Sequence, residues 1–392
     1  MAISSGIDAV LQKAVASGDV PGVVALAATD RGILYHGAFG RQDGEAGPQV
    51  TGDTVFRIAS MTKAVTSVAA MQLVESGRLG LDQPIAAVLP ELAAPLVLEG
   101  FDPSGKPRLR PAKRPITLRH LLSHTAGFGY EMLNSELIRY NAVTRTPSTS
   151  TGKLASLQMP LLFDPGERWQ YGINIDWVGR AVEAASGQPL DAYFRDHIFA
   201  PLGMTDSGFE LSAAQRERLI RVHHRKPDGS LEPVEVDMPP AKPEFWAGGG
   251  ALYSTGPDYL RFLRMLLGNG QLDGAQVLLP QTVAEMGRNQ VGDLAAGIMR
   301  TAMPDRTNDF VLFPEGSCRW GLGYMINTLP APGGRSAGSL SWGGIFNTYY
   351  WIDPARRLAA VILTQILPFA DARALALSAA FERVVYCALN ET

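Results

Sequence analysis

Between Phe56 and Gly77 the chain reads Phe56-Arg57-Ile58-Ala59-Ser60-Met61-Thr62-Lys63-Ala64-Val65, then an apolar run closed by Gly77. Val65, Val68 and Met71 recur at helical spacing, and the polar positions are few: Thr66, Ser67, Gln72 and Glu75. A helix that is apolar on most of its circumference has little solvent face, so it must be largely buried inside a sizeable core. Gly77 is a natural C-terminal stop. Ser60 sits where an N-cap or first-turn residue belongs. On such a helix Ser60 and Lys63 are i and i+3 and share a face. A hydroxyl beside an amine in a dry pocket is what a serine nucleophile needs, since burial disfavours the ammonium and a helix N-terminus favours developing negative charge. The plain alternative is an N-cap serine with a snorkelling lysine.

The rest of the chain is long enough to supply that core. Its 392 residues, 46% hydrophobic and 19% charged, allow one large domain or two intimate ones. Net charge is -3 with no basic block, which argues against a nucleic-acid partner. No run of about 18 apolar residues is present, so no membrane span is expected. The start, Met1-Ala2-Ile3-Ser4-Ser5, has neither a basic nor an apolar leader region, which leads to an expectation of a cytoplasmic protein. Two cysteines, Cys318 and Cys387, exclude a disulfide scaffold and a cysteine zinc site. The six histidines form no His-Glu-x-x-His set, so neither metal nor other cofactor is expected.

Taken in order, residues 5–18 read as an amphipathic helix with Ile7, Val10, Leu11 and Val15 on one stripe. Val23 to Ala28 and Ile33 to Phe39 flank the turn Asp30-Arg31-Gly32, a hairpin. Residues 80–115, rich in Pro, Gly and Leu, read as a surface loop with short helices. Thr117 caps a short helix that runs into Ser123-His124-Thr125-Ala126-Gly127. Residues 143–153 read as a mobile Ser/Thr-rich loop, and 225–244 as a Pro-rich charged loop. A helix runs from about Asn174 to Ser186, and another from Pro257 to Leu267. Strands follow: Gly321 to Asn327, Ser339 to Trp342 continuing through Tyr349 to Asp353, and Leu358 to Thr364 with Val361-Ile362-Leu363 central. A helix from about Asp371 to Leu389 closes the chain. The expected class is α+β. Two early and three late strands make one antiparallel sheet with the end helices on its faces, and a mainly helical lobe is inserted between them. The expected division is residues 1–80 with 246–392 as the sheet-containing domain and 81–245 as the helical one, the active site lying between them.

Two further stretches carry chemistry. Tyr171 follows Pro165-Gly166 and begins the Asn174 helix, so its hydroxyl can project from the edge of the helical lobe. A nearby cationic lysine would stabilise its phenolate. The plain alternative is a half-buried aromatic. Ser341-Trp342-Gly343-Gly344-Ile345-Phe346 places two glycines inside a strand, which weakens it unless something must approach the backbone closely. An edge strand facing the serine supplies that reason, and the Ile345 N–H with the Ser60 N–H would then bind an oxyanion.

Together these stretches resemble the penicillin-recognising serine enzymes, most closely family VIII carboxylesterases, which look like class C β-lactamases and DD-peptidases in fold. The resemblance spans nearly the whole chain: Phe56 to Lys63, Leu121 to Gly127, Pro165-Gly166 to Tyr171, Gly248-Gly249-Gly250-Ala251-Leu252-Tyr253-Ser254-Thr255, and Trp342-Gly343-Gly344. It implies Ser60 as nucleophile, Lys63 and Tyr171 as its base system, an acyl-enzyme, and Trp342, Gly343, Gly344 and Ile173 at the substrate. Two positions depart from the β-lactamase pattern. Ile173 stands where an asparagine usually follows the tyrosine, and Trp342 stands where the lysine of Lys-Thr-Gly binds the substrate carboxylate. Both changes favour neutral esters. The expected function is hydrolysis of esters of short or medium acyl chains. The alternatives are a β-lactamase or D-amino peptidase, an acyltransferase using the same acyl-enzyme and, more remotely, a non-catalytic binding protein. A small-molecule ester is the one partner this calls for, and the oligomeric state stays open.

Two decoys are set aside. Gly334-Arg335-Ser336-Ala337-Gly338 spells Gly-x-Ser-x-Gly, but in a Pro/Gly loop before a strand, where no helix follows the serine. Ser150-Thr151-Gly152-Lys153 repeats Ser-x-x-Lys in a polar loop. His124 reads as a structural histidine near a helix end.

Overall fold

The computed structural model describes residues 2–44, 47–236 and 242–390. Its frame is an antiparallel sheet of seven strands: β1 (Gly22–Thr29), β2 (Gly32–Gly40), β3 (Cys318–Trp320), β4 (Met325–Asn327), β5 (Leu340–Gly344), β6 (Thr348–Asp353) and β7 (Leu358–Leu363), in the order β3-β4-β5-β6-β7-β1-β2. The apolar strand β7 lies between β6 and β1, with Val24 opposite Leu363 and Leu26 opposite Val361. The sheet therefore joins early and late segments, as the sequence suggests, but it draws five late strands rather than three. The segment read as one strand from Ser339 to Asp353 is two strands, with a turn at Ile345–Asn347 where Asn347 adopts φ 60°. Asparagine tolerates that left-handed conformation, so the turn itself needs neither Gly nor Pro.

Alternation along the strands directs side chains to two covered faces. Trp351 on β6 points to the side of α1 (Ala2–Ala16) and α6 (Ala372–Asn390), where it meets Phe381 and donates to the Tyr386 hydroxyl. Its neighbour Tyr350 points the other way, to Tyr259 of α5 (Gly256–Leu267). On this second side α2 (Thr62–Glu75) is buried on almost every position, Lys63, Thr66 and Ser67 included. It packs against α4 (Asn174–Ser186).

The segment between is more varied than a plain helical lobe. The short helix α3 (Leu118–Leu122) is capped by Thr117, with His120 completing the capping box. Residues 80–115 hold a hairpin, Leu96–Phe101 with Pro107–Pro111, that the sequence reading missed because its second strand carries prolines and arginines and its first a Glu-Gly pair. Within 225–244, the strands Val222–Arg225 and Leu231–Val234 also pair, where a loop was expected. The part of that expectation falling on 237–241 lies outside the described residues. The stretch 143–153 contains the short turn Thr149–Thr151. Among the described residues, no helix is long and apolar enough to cross a membrane.

Candidate active site

Ser60 lies in a tight turn, Ala59–Met61, that feeds α2. Ala59 holds φ 45°, a strained conformation for a residue with a β-carbon. The strain is held by its surroundings. Thr62 Oγ1 donates to the Ala59 carbonyl at 2.6 Å, the Ile58 N–H reaches the Leu252 carbonyl at 3.1 Å, and the Tyr259 hydroxyl donates to the Met61 carbonyl at 2.9 Å. This clamped turn leaves Ser60 partly exposed at the end of an otherwise buried helix.

Lys63, one turn on, is 1% exposed. Its Nζ lies 3.1 Å from Ser60 Oγ, 3.2 Å from the Tyr130 hydroxyl and 2.5 Å from the Gly249 carbonyl oxygen. A carbonyl can only accept. The amine therefore donates to Gly249, and it also reaches the Ser60 and Tyr130 oxygens. The lysine is thus held on three sides, one of them the Ser60 hydroxyl.

Tyr171 precedes α4 rather than starting it. Lys63 Nζ lies 4.7 Å from the centre of its ring, and Trp342 Nε1 lies 3.0 Å from its hydroxyl oxygen. An indole N–H only donates, so the Tyr171 oxygen is the acceptor. His124 packs 4.9 Å from the Tyr171 ring, fully buried, with Nδ1 facing the Asn174 side-chain amide at 3.0 Å. Burial, with the nearby Lys63 charge, pushes this imidazole well below its ordinary value, so it is neutral packing beside the tyrosine.

Trp342 and Gly344 occupy one face of β5 and Gly343 the other. β4 pairs with β5 only through Leu340 and Ser341, so the edge of β5 is open from Trp342 onward. A β-carbon on Gly344 would fall 2.4 Å from the Ile58 carbonyl oxygen, and one on Gly343 would fall 2.7 Å from the Tyr349 ring. Gly344 is needed because the strand there presses against the backbone that leads into Ser60, and Gly343 because a side chain there would run into β6. Ile345 lies just beyond β5 and lines both pockets that meet at Ser60.

One pocket is small and largely apolar, walled by Met132, Leu133, Tyr171, Met299, Trp342 and Phe369. The other, about 300 Å³, has aromatic walls in Phe245, Trp246 and Phe346 and polar groups in Arg57, Glu131, Asp176 and Arg306. Ile173 belongs to neither pocket. It is fully buried at the N-terminal end of α4, which corrects the expectation that it meets substrate. Ser336 is also elsewhere, in a loop stapled by the buried Arg335–Glu382 ion pair, with its N–H on Asp353. Ser150 lies on the wall of the larger pocket, but Lys153 is exposed and Gly152 breaks the turn between them with φ 65°.

Tyr130 and Asp176 were not singled out in the sequence. Burial, then the nearby Asp176 and Tyr171, pushes the Tyr130 hydroxyl well above its usual range. Asp176 Oδ1 accepts the Gly249 N–H at 2.9 Å, and burial pushes its carboxyl up against the opposing pull of Lys63 and that N–H. An acid inside the apolar run Ile175 to Val178 was the available signal.

Comparison with known proteins bears on this geometry. The Beta-lactamase family matches residues 7–383. A lovastatin esterase from Penicillium rubens is 33% identical, covering 92% of this chain and 93% of its own. A monacolin J acid methylbutanoyltransferase from Aspergillus terreus is 35% identical, covering 97% and 95%. The unliganded structure of simvastatin synthase (LovD) from Aspergillus terreus superposes with a TM-score of 0.85 at 32% identity, covering 98% of each chain.

Proposed function

The chain belongs to the beta-lactamase family, and on that footing we propose that it is a serine carboxylesterase of the family VIII type for short or medium acyl esters. The observation that carries this is the 3.1 Å approach of Lys63 Nζ to Ser60 Oγ, with the other two contacts of the amine fixed on Gly249 and Tyr130. In this reading the Ser-x-x-Lys motif supplies the nucleophile and its base. Ser60 attacks the ester carbonyl, Lys63 takes its proton, and the N–H groups of Ser60 and Ile345 bind the oxyanion. Tyr171 hands a proton to the departing alkoxide and, in the second half, helps water attack the acyl-enzyme. Trp342 and Gly343 wall the small pocket beside that chemistry.

The domain division fits this scheme. Residues 1–80 with 246–392 carry the sheet and Ser60, 81–245 carry Tyr130 and Tyr171, and the cleft lies between them. We also read the protein as cytoplasmic, a reading supported by its two unpaired cysteines.

Acyl transfer to an alcohol is the second reading, favoured by the 35% identical methylbutanoyltransferase. It uses the same acyl-enzyme with an alcohol in place of water. A panel of p-nitrophenyl esters of increasing chain length, run with and without added alcohols beside a chromogenic cephalosporin, tests both. Turnover of none of these esters would overturn the proposal.

A further inference from the structure

Lys63 has a flexible four-carbon stem, yet its amine is held on three sides. The hold passes through Gly248-Gly249. The Gly248 carbonyl accepts from Thr66 Oγ1 at 2.6 Å and the Gly249 carbonyl accepts from Lys63 Nζ at 2.5 Å, two groups one turn apart on α2. On its other side the same backbone presses on α4. A β-carbon on Gly248 would fall 3.0 Å from Thr66 and 3.1 Å from the Ile175 carbonyl, and one on Gly249 would fall 2.6 Å from Asp176 Oδ2. Only glycine lets a peptide pass between the two helices here. Gly249 is thus tied on both sides of its α-carbon: the 248–249 peptide has its C=O on Thr66 and its N–H on Asp176, and the next peptide has the Gly249 C=O on Lys63.

We infer that Asp176 is a positioning residue: through the backbone of Gly249 it aims the amine of Lys63 at Ser60. The inference rests on the serine-esterase reading above. With Asp176 removed, the Gly249 N–H is left buried without its acceptor, and the 248–249 peptide is held only at the Gly248 carbonyl. Gly249, with no side chain to restrain it, can then turn about its own φ and ψ, its carbonyl leaves Lys63, and the amine loses its heading toward Ser60. What Asp176 supplies is an acceptor oxygen at a fixed place. Its 3% exposure and raised carboxyl are in keeping with a role that does not need a full charge.

The test uses the whole protein and p-nitrophenyl acetate. Asp176→Ala opens a hole onto the larger pocket, which Asp176 lines, so a small acceptor can enter it. The expected result is a kcat lower by about 100-fold, as for a misplaced catalytic group, with KM changed less than about twofold. Asp176→Asn keeps an acceptor oxygen and should lose only a few-fold. Formate should restore much of the Asp176→Ala rate and none of a Ser60→Ala rate, which a merely loosened fold would not show. An Ala variant with undiminished kcat, an Asn variant as slow as the Ala, or no gain from formate overturns the inference. Absence of ester turnover and of a fluorophosphonate adduct in the unaltered protein would instead overturn the esterase reading itself.

Discussion

The indole N–H of Trp342 is aimed at the hydroxyl oxygen of Tyr171 across 3.0 Å, with the two ring centres 4.9 Å apart. A neutral donor therefore occupies the place that the resemblance assigns to a lysine, and it stabilises negative charge on the tyrosine oxygen without offering a cation to substrate. Trp342→Phe keeps an aromatic wall but removes the donor. A neutral hydrogen bond is worth about 1 kcal/mol, so kcat should fall by roughly five- to tenfold with little change in KM. A rise in KM alone would make Trp342 only a wall.

The same substitution pattern sets specificity. A cephalosporin carboxylate needs a cation or several donors to offset its desolvation, and β5 offers an indole. Ester turnover should far exceed cephalosporin turnover. Trp342→Lys should lower ester kcat/KM and raise cephalosporin hydrolysis only modestly. A native protein that cleaved cephalosporins as fast as its best ester would refute this account of specificity and leave the role of Ser60 intact.

Ser60→Ala should abolish nearly all turnover, whereas Ser336→Ala should keep most of it, because Ser336 belongs to a loop tied to α6 and lines neither pocket at Ser60. Mass spectrometry of the fluorophosphonate-treated protein should find the adduct on Ser60. An adduct on Ser336 would reverse the assignment.

Lys63 and Tyr171 should behave as one unit. Lys63→Ala and Tyr171→Phe should each cost several orders of magnitude in kcat, and the double variant little more than either. Tyr130→Phe removes one of the three contacts of Lys63 and should cost roughly tenfold, near the upper worth of one hydrogen bond. Strictly additive losses for Lys63 and Tyr171 would mean separate roles.

Acid should destabilise the fold through His124. The folded state holds this imidazole well below 6.5, while the unfolded chain protonates it near that value. Between the two values the unfolded state binds more protons, so stability falls as pH drops below about 6.5, by up to about 1.4 kcal/mol per pH unit. His120 and His223, also pushed down by burial, act in the same direction. Asp258, held up at about 6, acts in the opposite sense, because its folded form takes a proton first. Urea unfolding at pH 7.5 and 5.5 should show a smaller acid loss in His124→Asn than in the native chain. An unchanged pH dependence would assign the effect to other groups.

Much of this was legible because some signals are local. The helix Asn174–Ser186 was read to its ends from its own periodicity, and the first hairpin from Asp30-Arg31-Gly32. Ser60, Lys63 and Tyr171 carried signals of position. Tyr130 carried none, and the acid at Asp176 stood out in its apolar run without naming a partner, since Lys63 and Gly249 are brought to them only by the fold. Ile173 misled for the converse reason. A position in a motif does not say which way the side chain turns, and here it turns into the core.

The pairing of β1 with β7 sets a timetable. Val24 emerges from the ribosome 339 residues ahead of its neighbour Leu363 (363 − 24). Until then β1 has only β2 beside it, and α2 with its serine has no finished floor to rest on. A growing chain on the ribosome therefore carries Ser60 long before its surroundings are built. On the esterase reading, activity waits until β7 has emerged, and a chain broken off before β7 should be inert and sticky rather than partly active.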